Sequence, residues 1–182
     1  MKIKVFGCPS VKRELYLLAA FSKNDIEIET VPHNVSQQML QQKIDAAKAD
    51  RIVLAMGACR TVGLHSKSVP IIAPKAHNCA ALLLGSAERY RKAFSENEDS
   101  PVWINGEGCR HAGIHGQRCA VLTGFLPNSA DTLPEGTKQY VSDLLLLRQL
   151  LEQDFDENAA ITAFKGQCIV ADAQQIIALE PF

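Results

Sequence analysis

Eight of the eleven cysteine and histidine residues lie between Cys59 and Cys119, a third of the chain: Cys59, His65, His77, Cys79, Cys109, His111, His115 and Cys119. Sulfur and imidazole donors gathered in this way suit zinc, iron or an iron–sulfur cluster. They also suit a reactive thiol, whose nucleophile is the thiolate. The tightest pairing is the H-x-C of His77-Asn78-Cys79, just after a strand pattern that ends at Pro74. Residues two apart in an extended backbone face the same side, so His77 and Cys79 can present their donors together.

Taken as metal ligands, Cys8, Cys59, His77, Cys79 and Cys109 form a soft donor set. Zinc takes three or four nitrogen and sulfur donors in a tetrahedron, and a catalytic zinc keeps one position open. There it lowers the pKa of a substrate thiol and yields a bound thiolate that attacks a methyl donor. His77 and Cys79 with Cys59, or with Cys109, match that set, so Zn2+ is the expected cofactor. In the alternative, Cys8, Cys59 and Cys79 hold a [4Fe–4S] cluster whose last iron is open or closed by His77. Without a metal, a cysteine at a strand end beside His77 is a nucleophile activated by imidazole. Cys168, inside the apolar run Cys168-Ile169-Val170, reads as core.

The segment GEGCRHAGIHGQRC ends at Cys119 and places Cys109, His111, His115 and Cys119 within eleven residues. Its glycines at 106, 108, 113 and 116 allow a tight fold around an ion. The loop over 105–120 is a structural zinc loop, a lid that adds Cys109 or His111 to the main site, or a plain surface loop. Arg60 and Arg89 are candidates for binding an anionic group of a cofactor or substrate by bidentate hydrogen bonds. His33 and His65 fall in loops and read as exposed bystanders, and Tyr90 as packed. Together these residues point to a metal-binding enzyme or enzyme component that handles a thiol or methyl group of a small molecule. A non-catalytic metal- or cofactor-binding accessory protein is the competing class.

The elements that must position these groups are legible in the apolar patterning. Residues 2–7 form a strand that stops at Gly7-Cys8-Pro9, and Ser10 is placed to cap a helix through about Ser22. Residues 26–31 alternate as a second strand. Ser36 caps a helix carrying Met39, Leu40, Ile44 and Ala47 at helical spacing. Ile52-Val53-Leu54-Ala55-Met56 is continuously apolar, as expected of a strand buried on both faces of a parallel sheet. Residues 69–73 give a further strand and 79–94 one long helix. After Val102-Trp103-Ile104 and the glycine-rich loop, 131–137 reads as an exposed connection. Tyr140, Val141, Leu144, Leu147, Leu151 and Phe155 then mark an amphipathic helix, and 168–171 and 175–179 two short strands.

This order predicts a single three-layer α/β domain spanning 1–182, with a mainly parallel central sheet and helices on both faces. Parallel strands share one carboxyl edge, where ligands of open α/β sheets bind. Cys8, Cys59 and the His77/Cys79 pair each follow a strand, so three distant segments deliver donors to that edge.

A length of 182 residues suits one domain with a full core, and 47% hydrophobic and 21% charged residues are ordinary for a globular protein. A net charge of -1 gives no basic field for nucleic acid. No apolar run approaches the ~20 residues of a membrane span. The start MKIKVFGCPS opens on a strand pattern and not on a secretory signal, so the reading is cytoplasmic with reduced cysteines.

Several segments, in order, carry a resemblance: the strand-turn at Cys8, Gly57-Ala58-Cys59 with Val62-Gly63-Leu64, and Pro74-Lys75-Ala76-His77-Asn78-Cys79. The run Leu82-Leu83-Leu84-Gly85-Ser86-Ala87-Glu88-Arg89-Tyr90 and the pair of stretches Leu150-Leu151 and Asp154-Phe155-Asp156 extend it. In these the chain resembles the bacterial and archaeal family called domain of unknown function 1638. The resemblance implies a neighbourhood of corrinoid-dependent methyltransferase systems, and hence a corrinoid protein or methyltransferase as partner. It supports the group Cys8, Cys59, His77 and Cys79, and leaves the Cys109–Cys119 loop to its own chemistry.

Overall fold

Ile3, Val5 and Phe6 are fully buried in β1 (Lys2–Gly7), the strand around which the rest is arranged. The computed structural model describes residues 1–74, 76, 78–97, 102–104, 119–123, 138–152 and 161–165. A 3-10 turn (Pro9–Val11) leads from β1 into α1 (Lys12–Phe21). β2 (Asp25–Thr30), α2 (Gln37–Ala46), β3 (Arg51–Ala55), α3 (Ala58–Thr61) and β4 (Pro70–Pro74) follow. Then come α4 (Cys79–Leu84), α5 (Ala87–Ser95), β5 (Val102–Ile104), β6 (Cys119–Thr123), β7 (Lys138–Val141), α6 (Leu145–Leu151) and β8 (Ile161–Lys165).

The main sheet has the order β2-β1-β3-β4-β8. β1 pairs in parallel with β2 (Ile3 opposite Ile26) and with β3 (Val5 opposite Val53), and β3 pairs in parallel with β4. Among the described strands of this sheet, β8 alone runs antiparallel, against β4. The expected parallel sheet from 2–7, 51–56 and 69–73 is therefore present. A second, all-parallel sheet holds β5, β6 and β7 in that order.

The chain leaves β1 toward β2 on one side, then crosses back over β1 to reach β3 on the other. With right-handed crossovers this puts α1 on one face and α2 with α3 on the opposite face. Side-chain contacts agree. Gln41 of α2 donates to the His65 carbonyl just beyond α3 at 2.9 Å, whereas α1 packs against α6. α6 also covers β3 and β4, burying Leu146, Leu147, Leu150 and Leu151. The result is the expected three-layer α/β arrangement, and none of its described helices is long and apolar enough to cross a membrane. The edge strand β2 is protected by charge: Glu27 and Glu29 pair with Lys4 at 2.6 and 3.0 Å, and Glu29 with Lys43 at 2.6 Å.

Three expected elements differ in detail. The long helix over 79–94 is two helices, because Gly85 takes a left-handed conformation (φ 78°) and closes α4 on the Ala81 and Leu82 carbonyls. Ser86 then caps α5 by accepting from the Arg89 N–H at 3.1 Å. The helix drawn from Tyr140 begins only after Leu144, since Tyr140 and Val141 pair with Leu122 and Thr123 of β6. Ser10 sits within the 3-10 turn and does not cap α1, whose first turn has no side-chain cap. The Ser36 cap is present, accepting from Met39 N–H at 3.2 Å, although the Met39 side chain itself is exposed. The expected connection at 131–137, Phe155, Cys168 and the strands at 168–171 and 175–179 lie outside the described residues.

Gly85 tests the helix break. A Cβ there would lie 2.8 Å from Asp143 Cβ, on a backbone that L side chains avoid. Gly85→Ala is expected to destabilise the fold by roughly 1–3 kcal/mol. Urea denaturation followed by circular dichroism checks this, as a lower midpoint at unchanged slope.

Candidate functional site

Strand β1 ends where its neighbours' backbones can hold it. Cys8 N–H donates to the Ala55 carbonyl at the end of β3 at 3.1 Å, and Val31 N–H, after β2, donates to the Gly7 carbonyl at 2.8 Å. Gly7 is needed for packing: a Cβ there would meet Leu15 Cδ1 of α1 at 2.5 Å. The turn after β3 is tied to the loop after β4 by Ala58 N–H donating to the Ala76 carbonyl at 2.8 Å. These bonds gather the carboxyl ends of β1, β3 and β4. The strand order reverses between β1 and β3, the point where doubly wound sheets open their ligand crevice.

Cys8 and Cys79 meet there. The two thiols are in hydrogen-bonding contact although 71 positions separate them, and both are free. Cys8 is buried and Cys79, the first residue of α4, is half-buried. Asn78 fixes the start of α4: its Oδ1 accepts from Ala81 N–H at 2.9 Å and its Nδ2 donates to the buried Tyr90 hydroxyl at 3.0 Å. Ser10 donates to the Cys8 sulfur from both its N–H and its hydroxyl, and Gly57 N–H donates to the Cys79 sulfur. His33 Nε2 stands 4.0 Å from Cys8 Sγ. Cys59, on α3, is exposed but close enough for its charge to act on Cys79.

The electrostatics follow from this geometry. The hydrogen bond donated by the Cys79 thiol draws the Cys8 thiol down to about 6. Burial opposes that shift, while the Ser10 donors and the charge of His33 assist it. Cys79 is pushed strongly upward by the same bond, because its proton is the one Cys8 needs, and by burial and the Cys8 charge. The Gly57 N–H acts in the other direction without reversing the outcome. The pair is one thiolate held by one thiol, and its ionisations belong to the pair.

Of the expected site residues, Cys8 and Cys79 are brought into contact, and Cys59 lies on α3 beyond the end of β3. His77 and Cys109, and with Cys109 most of the 105–120 loop, lie outside the described residues. Among the described residues, no group of three or more His, Cys, Asp or Glu is arranged to hold a metal ion. Arg60 reaches toward the backbone instead of an open crevice, donating to the His33 and Val35 carbonyls. Arg89 pairs with Asp143 at 2.8 Å. His33, read as a bystander, is a member of the site. The signal for it was available, since His33 follows β2 and shares the carboxyl edge of the other parallel strands.

A doubly wound α/β protein with paired thiols at its switch point is the class this arrangement defines. The chain belongs to the family described as Protein of unknown function (DUF1638), which matches residues 26–165. His33, Cys59 and Cys79 fall within the matched segment and Cys8 precedes it. No curated protein and no solved structure matches the chain.

The shared proton sets a pH dependence. Cys8 titrates below an ordinary thiol, so its thiolate persists as pH falls and is lost on passing about 6. By linkage, the stability it contributes is fully present above the unfolded thiol's value of ~8.5 and disappears through that same acid range. The ultraviolet thiolate absorbance of the protein, less that of Cys8→Ala, is expected to show this low midpoint. In Cys79→Ala the midpoint moves upward, because the largest contribution to the depression is gone.

Proposed function

We propose that this protein is an enzyme, or an enzyme component, that uses the Cys8 thiolate to handle a thiol or methyl group of a small substrate in the crevice beside β1 and β3. The observation that carries this reading is the contact between Cys8 and Cys79. It keeps Cys8 anionic near neutral pH in a buried setting where an isolated thiol would stay protonated. A thiolate is a soft nucleophile. Its lone pair forms the S–C bond to a methyl group while the donor's leaving group departs with the electrons of the bond that breaks. The Cys79 proton stabilises the waiting thiolate, and that hydrogen bond weakens as the sulfur becomes a thioether. A corrinoid protein or methyltransferase is the class of methyl-donating partner that the sequence resemblance implies.

A second reading makes the same sulfurs ligands of a soft metal, Zn2+ or the iron of a [4Fe–4S] cluster. It adds Cys59, exposed on α3, as a third sulfur beyond a strand end, although among the described residues no three donors are grouped to hold an ion. Cys8, Cys59 and Cys79 would be the donors, with His77 or Cys109 completing the set. Bound metal would supply Lewis acidity toward a substrate thiol. Elemental analysis of anaerobically purified protein separates the two readings. Stoichiometric zinc or iron that falls in Cys8→Ala, Cys59→Ala and Cys79→Ala supports the metal; metal-free protein with full reactivity supports the thiolate.

The thiolate reading is tested by treatment with methyl iodide and mapping of the methyl group by peptide mass spectrometry. The methyl group is expected on Cys8, with Cys168→Ala unchanged. Loss of the Cys79 hydrogen bond lowers the thiolate population but raises the intrinsic nucleophilicity of what remains, with a Brønsted coefficient of about 0.4–0.5. A full return to an ordinary thiol pKa of ~8.5 would therefore slow methylation by roughly 10- to 15-fold at pH 6 but only about two- to threefold at pH 7. Methylation at other cysteines with Cys8 untouched would refute the assignment.

A further inference from the structure

We propose that Cys8 and Cys79 also form a reversible disulfide by exchange with low-molecular-weight disulfides, and that Cys59 is the surface thiol where exchange begins. The inference rests on the same sulfur contact as the thiolate reading, but it assigns a different reaction. Three observations carry it.

Cys8 and Cys79 are both free and their thiols are in hydrogen-bonding contact, so the two sulfurs that would join in a bond of about 2.0 Å already face each other. Cys8 ends a strand and Cys79 begins a helix, and each terminus is held by hydrogen bonds to a neighbouring segment. The pair is thus presented by rigid elements. Exposure then grades outward: Cys8 is 4% exposed, Cys79 is intermediate and Cys59 is exposed. A disulfide in solution meets Cys59 before it can meet Cys8.

The exchange balances without a further reagent. The Cys59 thiolate attacks a disulfide RSSR, giving a mixed disulfide and releasing RS−. Cys79 passes its proton to Cys8 and attacks the Cys59 sulfur, expelling the second RS−. The Cys8 thiol then yields its proton to solvent and attacks the Cys79 sulfur, which returns Cys59 as thiolate. Overall one protein thiol and one protein thiolate are oxidised, one RSSR is reduced to RS− and RSH, and the proton the pair shared is the one that ends on RSH. A small dithiol reverses the sequence.

The experiment exposes the full chain to oxidised glutathione, quenches with acid and maps unreduced peptides by mass spectrometry. The expected product joins the Cys8 and Cys79 peptides, retains no glutathione on either, and disappears on treatment with dithiothreitol. Cys79→Ser is expected to stop with glutathione trapped on Cys59. Cys59→Ser is expected to reach the same linked product at least tenfold more slowly. Circular dichroism confirms that each variant is folded. A stable glutathione adduct in the wild type with no linked pair would overturn the disulfide, and an unchanged rate in Cys59→Ser would overturn the role of Cys59. Methyl iodide labelling of Cys8 in untreated protein reads the thiolate separately, so that either assignment can fail alone.

Discussion

The parallel pairing of β1 with β2 on one side and β3 on the other is the constraint on which the cysteine edge depends. Consecutive crossovers in opposite directions leave the ends of β1 and β3 facing helices on opposite faces, which is where the strand order reverses. Cys8 stands at that point because Gly7 ends the strand and the backbone of Ala55 holds the Cys8 N–H. Cys79 arrives from β4 over the end of β3, through a loop tied to the β3 turn by the Ala58 to Ala76 hydrogen bond. A change in strand order would carry these sulfurs to separate places on the sheet edge.

Burial of a thiolate is unfavourable, and at Cys8 the opposing terms can be named. Desolvation raises its pKa; donors from Cys79, from the Ser10 N–H and from the Ser10 hydroxyl lower it, and they prevail. Ser10 can do this because the chain enters a 3-10 turn at Pro9 before the regular helix starts, which turns its donors back onto Cys8, two residues earlier. The price at the pair is asymmetry: one sulfur is charged only while the other keeps its proton. A pair of this kind holds a single negative charge whose position is fixed by the local hydrogen bonds.

Much of this was legible in the sequence, for a physical reason. The continuous run from Ile52 to Met56 identifies a strand buried on both faces, parallel strands share an edge, and cysteines just beyond strand ends must therefore converge. Cys8 and Cys79 share that edge and are in contact, while Cys59 lies beyond the end of β3. β2 carries weak apolar alternation beside its charged residues, so His33 reads in the sequence as a loop residue. The contact of Cys8 with Cys79, and not with Cys59, depends on which residues begin helices, a matter of single-residue geometry that patterning does not resolve. Arg60 and Arg89 carried no signal of their partners, because backbone carbonyls at 33 and 35 and a carboxylate at 143 are brought to them only by tertiary structure.

The break in the helix over 79–94 is part of the site. A continuous helix rises about 1.5 Å per residue, which would carry Tyr90 roughly 18 Å along the axis from Asn78. No hydrogen bond could join them. Because Gly85 reverses the chain, α5 returns toward the start of α4 and the Tyr90 hydroxyl accepts from Asn78 Nδ2 at 3.0 Å. Tyr90 is itself held in the core, with its ring centroid 6.0 Å from that of Phe94. Asn78 is thereby fixed at both ends of its amide, one to the Ala81 N–H and one to Tyr90, and it sets the direction in which Cys79 leaves the backbone. The left-handed glycine is the distant support of the Cys79 sulfur, and through that sulfur of the charge on Cys8.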